Sequence, residues 1–84
     1  MRKNVTVGLQ AGLEARPIAH FVQRANQFNS SIYLELGTKH VNAKSIMGIM
    51  SIPLMNGTEV VIQAEGPDEE AAIAALEMFL TQGI

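Results

Sequence analysis

The sequence has no cysteine and no tryptophan, a single tyrosine, and six lysine and arginine residues among 84. Without cysteine there can be no disulfide, no thiolate nucleophile and no thiolate metal site, which fits an intracellular setting. The six basic residues are scattered and stand against eight acidic ones, for a net charge of −2 at pH 7. That excludes the concentrated Lys/Arg footprint that direct nucleic-acid binding requires. No stretch approaches the roughly eighteen apolar residues of a membrane span. Met1-Arg2-Lys3 leads into an alternating Asn4-Val5-Thr6-Val7 and not into an apolar run, so no secretion signal is expected. A cytoplasmic protein without direct membrane or nucleic-acid partners is therefore expected. Catalytic signatures are missing too: no glycine-rich phosphate loop, no His-Glu-x-x-His, no Cys-His pair and no serine triad. His20 and His40 lack carboxylates at ligand spacing and make no metal site. Neither enzymatic activity nor a cofactor is expected.

What the chain has in quantity is apolar residues, 48% of the total, enough for one core without staples. A domain of this size buries about 60 to 65% of its unfolded-state surface. Val5, Val7 and Leu9 alternate with polar neighbours and predict a half-buried strand over Lys3 to Leu9. A loop from Gln10 follows, and Pro17 stands near the first position of a helix, where its missing N–H does no harm. Ile18, Phe21, Val22, Ala25 and Phe28 then recur at helical spacing, with His20, Gln23, Arg24 and Gln27 on the opposite side. Asn29-Ser30-Ser31 ends that helix. Ile32 to Leu36 and Lys39 to Asn42 predict two strands joined by a tight Gly37-Thr38 turn. After a short helix, Glu59 to Glu65 predicts a fourth strand, with Val60, Ile62 and Ala64 on one face. Asp68 is expected to cap a last helix, which has Glu69 and Glu70 in its first turn and a core stripe of Ala72, Ile73, Leu76, Phe79 and Leu80. The order βαββαβα predicts an α+β open-faced sandwich, a four-stranded antiparallel sheet with three helices on one face.

The short helix carries the functional signal. Opened by Ser45 and closed before Pro53, it spans about two turns yet holds Ile46, Met47, Ile49, Met50 and Ile52. One stripe cannot take all five inward. With positions three and four apart sharing a face, Ile49 and Ile52 are expected in the core, leaving Ile46, Met47 and Met50 partly in water. An exposed apolar patch of this kind on a small protein marks a partner site. On residue type alone Ser45 is an ordinary N-cap, worth roughly 1 kcal/mol.

Three motifs in order, Gly12-Leu13-x-Ala15-Arg16-Pro17, Val41-Asn42-x-Lys44-Ser45-Ile46-Met47-Gly48-x-Met50-Ser51 and Gly57-Thr58-Glu59, resemble HPr, the phosphocarrier of the bacterial sugar phosphotransferase system. The resemblance spans nearly the whole chain and implies one HPr-like domain over residues 1–84. HPr carries phosphate on a histidine immediately before Ala-Arg-Pro, and here that position is Glu14. A carboxylate does not replace a neutral imidazole nucleophile in that relay. What remains is similar to the regulatory HPr-like branch of Gram-positive bacilli, which lacks the histidine and keeps the serine. The resemblance then implies that Ser45 is phosphorylated by the HPr kinase/phosphorylase. It also implies that the phosphorylated form is a corepressor for a LacI-type catabolite control repressor. Arg16, whose family equivalent lines the phosphohistidine site and faces partners, keeps only the second duty, and the outer side of the first helix adds Ala19, His20 and Gln23 to the implied surface. Two other readings stand beside this one. One is a phosphocarrier working through another residue, though His20 lies a turn inside its helix, where N–H groups are already bonded and cannot cradle phosphate. The other is a small-ligand regulatory module, which no glycine-rich pocket loop supports. The loop Gln10-Ala11-Gly12 would also permit the first strand to be exchanged between two copies in a homodimer.

Glu14→His tests how much of the carrier site is left. The variant is expected to acquire acid-labile phosphate from phosphoenolpyruvate and the phosphotransferase enzyme, with a slight loss of stability as a carboxylate leaves the helix start. The wild type is expected to acquire none. Acid-labile label on the wild type would overturn the loss of the relay, and its absence from the variant would show that the rest of the site has decayed.

Overall fold

The structure, a computed structural model, describes residues 1–8, 15–52 and 54–82, with the backbone alone described at 15–17. Four strands, β1 (Arg2–Thr6), β2 (Ser31–Leu36), β3 (Lys39–Asn42) and β4 (Glu59–Glu65), alternate with three helices, α1 (Ala15–Asn26), α2 (Ile46–Met50) and α3 (Glu69–Gln82). All neighbouring strands are antiparallel, in the order β1-β4-β2-β3. Alternation places Ile32 and Leu34 of β2 and Val60, Ile62 and Ala64 of β4 on the covered face, all of them buried. The predicted open-faced sandwich is the observed architecture.

The β2–β3 hairpin closes through the two residues Gly37 and Thr38, since Leu36 faces Lys39. Gly37 sits at φ 60°, the left-handed value that the first position of this turn demands and that glycine adopts without strain. The first strand is displaced from its expected span of residues 3–9 and runs from Arg2 to Thr6. Arg2 pairs with Gln63 and Thr6 with Glu59, so the strand length is fixed by the length of β4. Val7 lies beyond this pairing and stays buried, its N–H donating to Thr58 O at 2.8 Å and its carbonyl accepting from Gly57 N at 2.7 Å. Leu9, the third residue of the expected alternation, is outside the described residues.

The helical stripes pack as the periodicity predicts. Ile18, Phe21, Val22 and Ala25 of α1 and Ala72, Ile73, Leu76, Phe79 and Leu80 of α3 are buried, and Phe21 and Phe79 meet with ring centroids 5.8 Å apart. Helix α1 ends at Asn26, earlier than its apolar spacing suggests, and Phe28 is half-buried past the end. The cause is local. Gln27 N and Phe28 N bond carbonyls three residues back, at 3.1 and 3.3 Å, and the turn tightens out of α geometry. No helix among the described residues is long and apolar enough to cross a membrane.

Asp68 departs from its expected role. Its side chain does not cap α3 but turns away to the α1–β2 connection, where Oδ2 accepts from Asn29 N at 2.9 Å. Oδ1 accepts from both Ser30 N, at 2.9 Å, and the Ser30 hydroxyl. The N-terminal reach of α3 comes instead from Glu69, whose Oε1 accepts from Gly66 N at 3.3 Å. Ser30 is buried at 1% exposure, and a Cβ built on Gly66 would lie 2.6 Å from its Oγ. Glycine is required there because the two connections touch backbone to backbone.

Those three hydrogen bonds hold the Asp68 carboxyl below its ordinary value of 3.8, the Ser30 hydroxyl contributing most and Asn29 N–H next. A carboxyl depressed in the folded state contributes stability that is present above its unfolded value and lost as pH falls through the folded one. Asp68→Asn offers one acceptor oxygen where three donors converge. Its Tm is therefore expected below that of the wild type at neutral pH, with the gap closing below about pH 4. Thermal unfolding across a pH series checks this, and a gap undiminished in strong acid would mean that the charge is not what holds the junction.

Candidate functional site

The candidate site is the segment from Asn42 to Met55, seated beside the C-terminal end of α1. Asn42 Oδ1 accepts from Lys44 N at 2.8 Å, and Asn42 O accepts from Ser45 N at 3.1 Å, so the end of β3 folds into a tight turn that aims the chain into α2. Ser45 is extended, at φ −111° and ψ 119°, as an N-cap must be. Its Oγ accepts from Gly48 N at 3.2 Å, and its carbonyl accepts from Ile49 N at 3.0 Å. At the other end, Gly48 O takes bonds from Ser51 N and Ser51 Oγ, while Lys39 Nζ donates to Ser51 O at 3.0 Å.

Two side chains tie this turn to α1. Lys44 Nζ donates to Phe28 O at 2.7 Å, filling a carbonyl that the end of α1 leaves open. Asn26 Nδ2 donates to Val22 O at 2.9 Å and to Lys44 O at 3.2 Å. The Lys44 ammonium is therefore committed to the scaffold beside Ser45. Gly48 has its own reason for being glycine: a Cβ there would stand 3.3 Å from Asn42 O, a tight approach to backbone.

Helix α2 hangs on the core by one side chain. Ile49 is fully buried, with Ala43, Ile52 and Leu54 buried on either side of the helix in the chain. Ile46, Met47 and Met50 are 46%, 84% and 57% exposed, the division that helical spacing predicts. Met55, beyond α2 in the chain, is 66% exposed, and its position in a connection gives no periodic signal to read. Ser45 is half-buried.

On α1, His20 and Gln23 are exposed and Ala19 is half-buried. Glu14 and the side chain of Arg16 lie outside the described residues. His40 stacks on Tyr33 at 4.6 Å between centroids, an arrangement of the β2–β3 pair and not of the site. No group of three metal-ligating side chains occurs among the described residues. Neither Asn26 nor the anchoring duty of Lys44 was legible in the sequence, because both bonds join positions 16 to 18 residues apart with no periodic signature.

Among the described residues no carboxylate or imidazole bonds Ser45 Oγ; its hydrogen bond comes from a backbone N–H. A serine nucleophile needs an adjacent base, and the described residues place none on Ser45. Ser45 is half-buried, and the exposed apolar surface begins at the next residue.

Among known proteins, the family model described as the PTS HPr component phosphorylation site matches residues 1–82. HPr-like protein Crh of Bacillus subtilis (strain 168) is 46% identical over 84 residues, covering 100% of this chain and 99% of that one. The crystal structure of phosphocarrier protein HPr from Bacillus anthracis superposes with a TM-score of 0.92 at 49% identity, over 95% of each chain. That of selenomethionyl Crh from Bacillus subtilis, a domain-swapped dimer, superposes with a TM-score of 0.79 at 50% identity, over 93% of this chain and 90% of that one.

The unequal burial of α2 yields a paired expectation. Ile49→Ala removes a filled core position and is expected to cost about 2 to 5 kcal/mol, whereas Met47→Ala is expected to stay within about 0.5 kcal/mol of the wild type. Urea unfolding of both variants checks this, and a large loss for Met47→Ala would place that side chain in the core.

Proposed function

The chain belongs to the HPr family, and on that premise we propose that it is a cytoplasmic regulatory member, not an enzyme, controlled by phosphorylation of Ser45. The HPr kinase/phosphorylase adds the phosphate, and the product acts as corepressor for a LacI-type catabolite control repressor. The observation that carries this reading is the junction of a half-buried capping hydroxyl with the exposed Ile46, Met47 and Met50. Phosphate adds about −1.5 to −2 charges at a helix start, where first-turn N–H groups point outward and accept an anion. A partner arginine would bind that dianion in a charge-assisted pair while apolar side chains cover the methionines. Ala19, His20 and Gln23 continue the partner surface along α1, and the family resemblance alone adds Arg16.

The phosphocarrier reading draws support from the likeness to the Bacillus anthracis phosphocarrier. Glu14 at the relay position speaks against it. His20 is a weak substitute, since it lies in the second turn of α1, where backbone N–H groups are already used. A homodimer by exchange of β1 is part of the proposal. The strand sits at the edge of the sheet, and its only buried residue is Val5. Its ion pair of Lys3 with Glu77 is largely exposed and contributes little, while Arg2 reaches a more sheltered Glu35. A second copy would restore each of these contacts.

Incubation with the kinase and ATP, followed by peptide mapping, tests the assignment. One acid-stable phosphate is expected on Ser45, with none on Ser45→Ala, and the phosphorylated wild type alone is expected to bind the repressor. Uptake by Ser45→Ala, on Ser51 or elsewhere, would overturn it.

A further inference from the structure

We propose that Met47, together with Met50 and Met55, is a site of reversible oxidation by peroxides, and that sulfoxide there silences the α2 surface while the fold stays intact. The silencing rests on the docking role proposed for that surface.

The chain has no cysteine, so methionine thioethers are its only sulfur nucleophiles. Access decides among them. Met47, Met55 and Met50 are 84%, 66% and 57% exposed, against 49% for Met1 at the terminus and 46% for Met78 on α3. In the reaction a thioether lone pair attacks one oxygen of hydrogen peroxide. An S–O bond forms, the O–O bond breaks, and the departing hydroxide takes up the displaced proton as water. Sulfur loses two electrons and the peroxide gains them. A methionine sulfoxide reductase with a dithiol reverses the step.

The consequences separate cleanly here because of how α2 is mounted. Its core contact is Ile49, flanked by Ala43, Ile52 and Leu54, and none of these carries sulfur. The cap bond from Gly48 N to Ser45 Oγ involves no methionine either. Oxidation therefore leaves the helix and its hydroxyl in place. What changes is the surface, where a flexible apolar side chain becomes a polar one that a dry partner surface leaves unpaired. The site would thus answer to two signals, a kinase that supplies the charged half of the anchor and an oxidant that removes the apolar half.

The test treats the full-length, Ser45-phosphorylated protein with hydrogen peroxide and follows peptide masses, Tm and affinity for the repressor. Met47 is expected to gain oxygen faster than Met78, with Tm nearly unchanged and affinity lowered about tenfold or more. Each variant is scored as the ratio of its affinity before and after peroxide. The Met47→Leu, Met50→Leu, Met55→Leu triple variant is expected to keep its ratio near one, and Met78→Leu to lose affinity as the wild type does. Oxidation of Met47 no faster than Met78, or unchanged affinity of the oxidised protein, would overturn the inference, as would loss of affinity only alongside unfolding. Absence of affinity before any peroxide is added would instead remove the docking role itself.

Discussion

Ile32, Leu34, Val60, Ile62 and Ala64 all leave the sheet on one side and are buried to within 2%, so the two central strands cannot hold together in water without helices to cover them. A sheet covered on a single face needs apolar area from outside itself, at about 25 cal/mol for each Å² removed from water. Helices α1 and α3 supply most of it and meet through Phe21 and Phe79. Helix α2 has five residues and contributes one buried side chain. Its remaining apolar residues have no core left to enter, and the exposed patch is a geometric remainder of this arrangement.

The same constraint explains why the connections carry such dense polar bonding. Helices that cover a sheet must be held at their ends, and two junctions do so. At one, Asp68 gathers Asn29 N, Ser30 N and the Ser30 hydroxyl, with Gly66 in close approach. At the other, Lys44 and Asn26 bind the end of α1 to the turn that carries Ser45. Backbone groups freed where α1 stops are thereby paired. The second junction also anchors the turn that carries the capping hydroxyl.

A helix mounted this way has a division of labour among neighbouring residues. Ile49 serves stability, Gly48 leaves room for the Asn42 carbonyl, and Ile46, Met47 and Met50 face outward.

Periodicity determined the helices, the hairpin, the strand faces and the split of α2 into Ile49 within and Met47 without, because each follows from side chains that share a face at fixed spacing. The serine cap was legible for the same local reason, and the family motifs pointed to Ser45 and to the substitution at Glu14. Only the tertiary structure decided where Asp68 points, since a carboxylate near a helix start has a local use and a distant one, and here three donors on another connection outweigh the local cap. Strand length at β1 was likewise set by the extent of β4, and the exposure of Met55 by a loop without period. Nothing in the sequence pattern assigns Lys44 a partner; its ammonium is held by the Phe28 carbonyl, an open helix end that only the fold brings near.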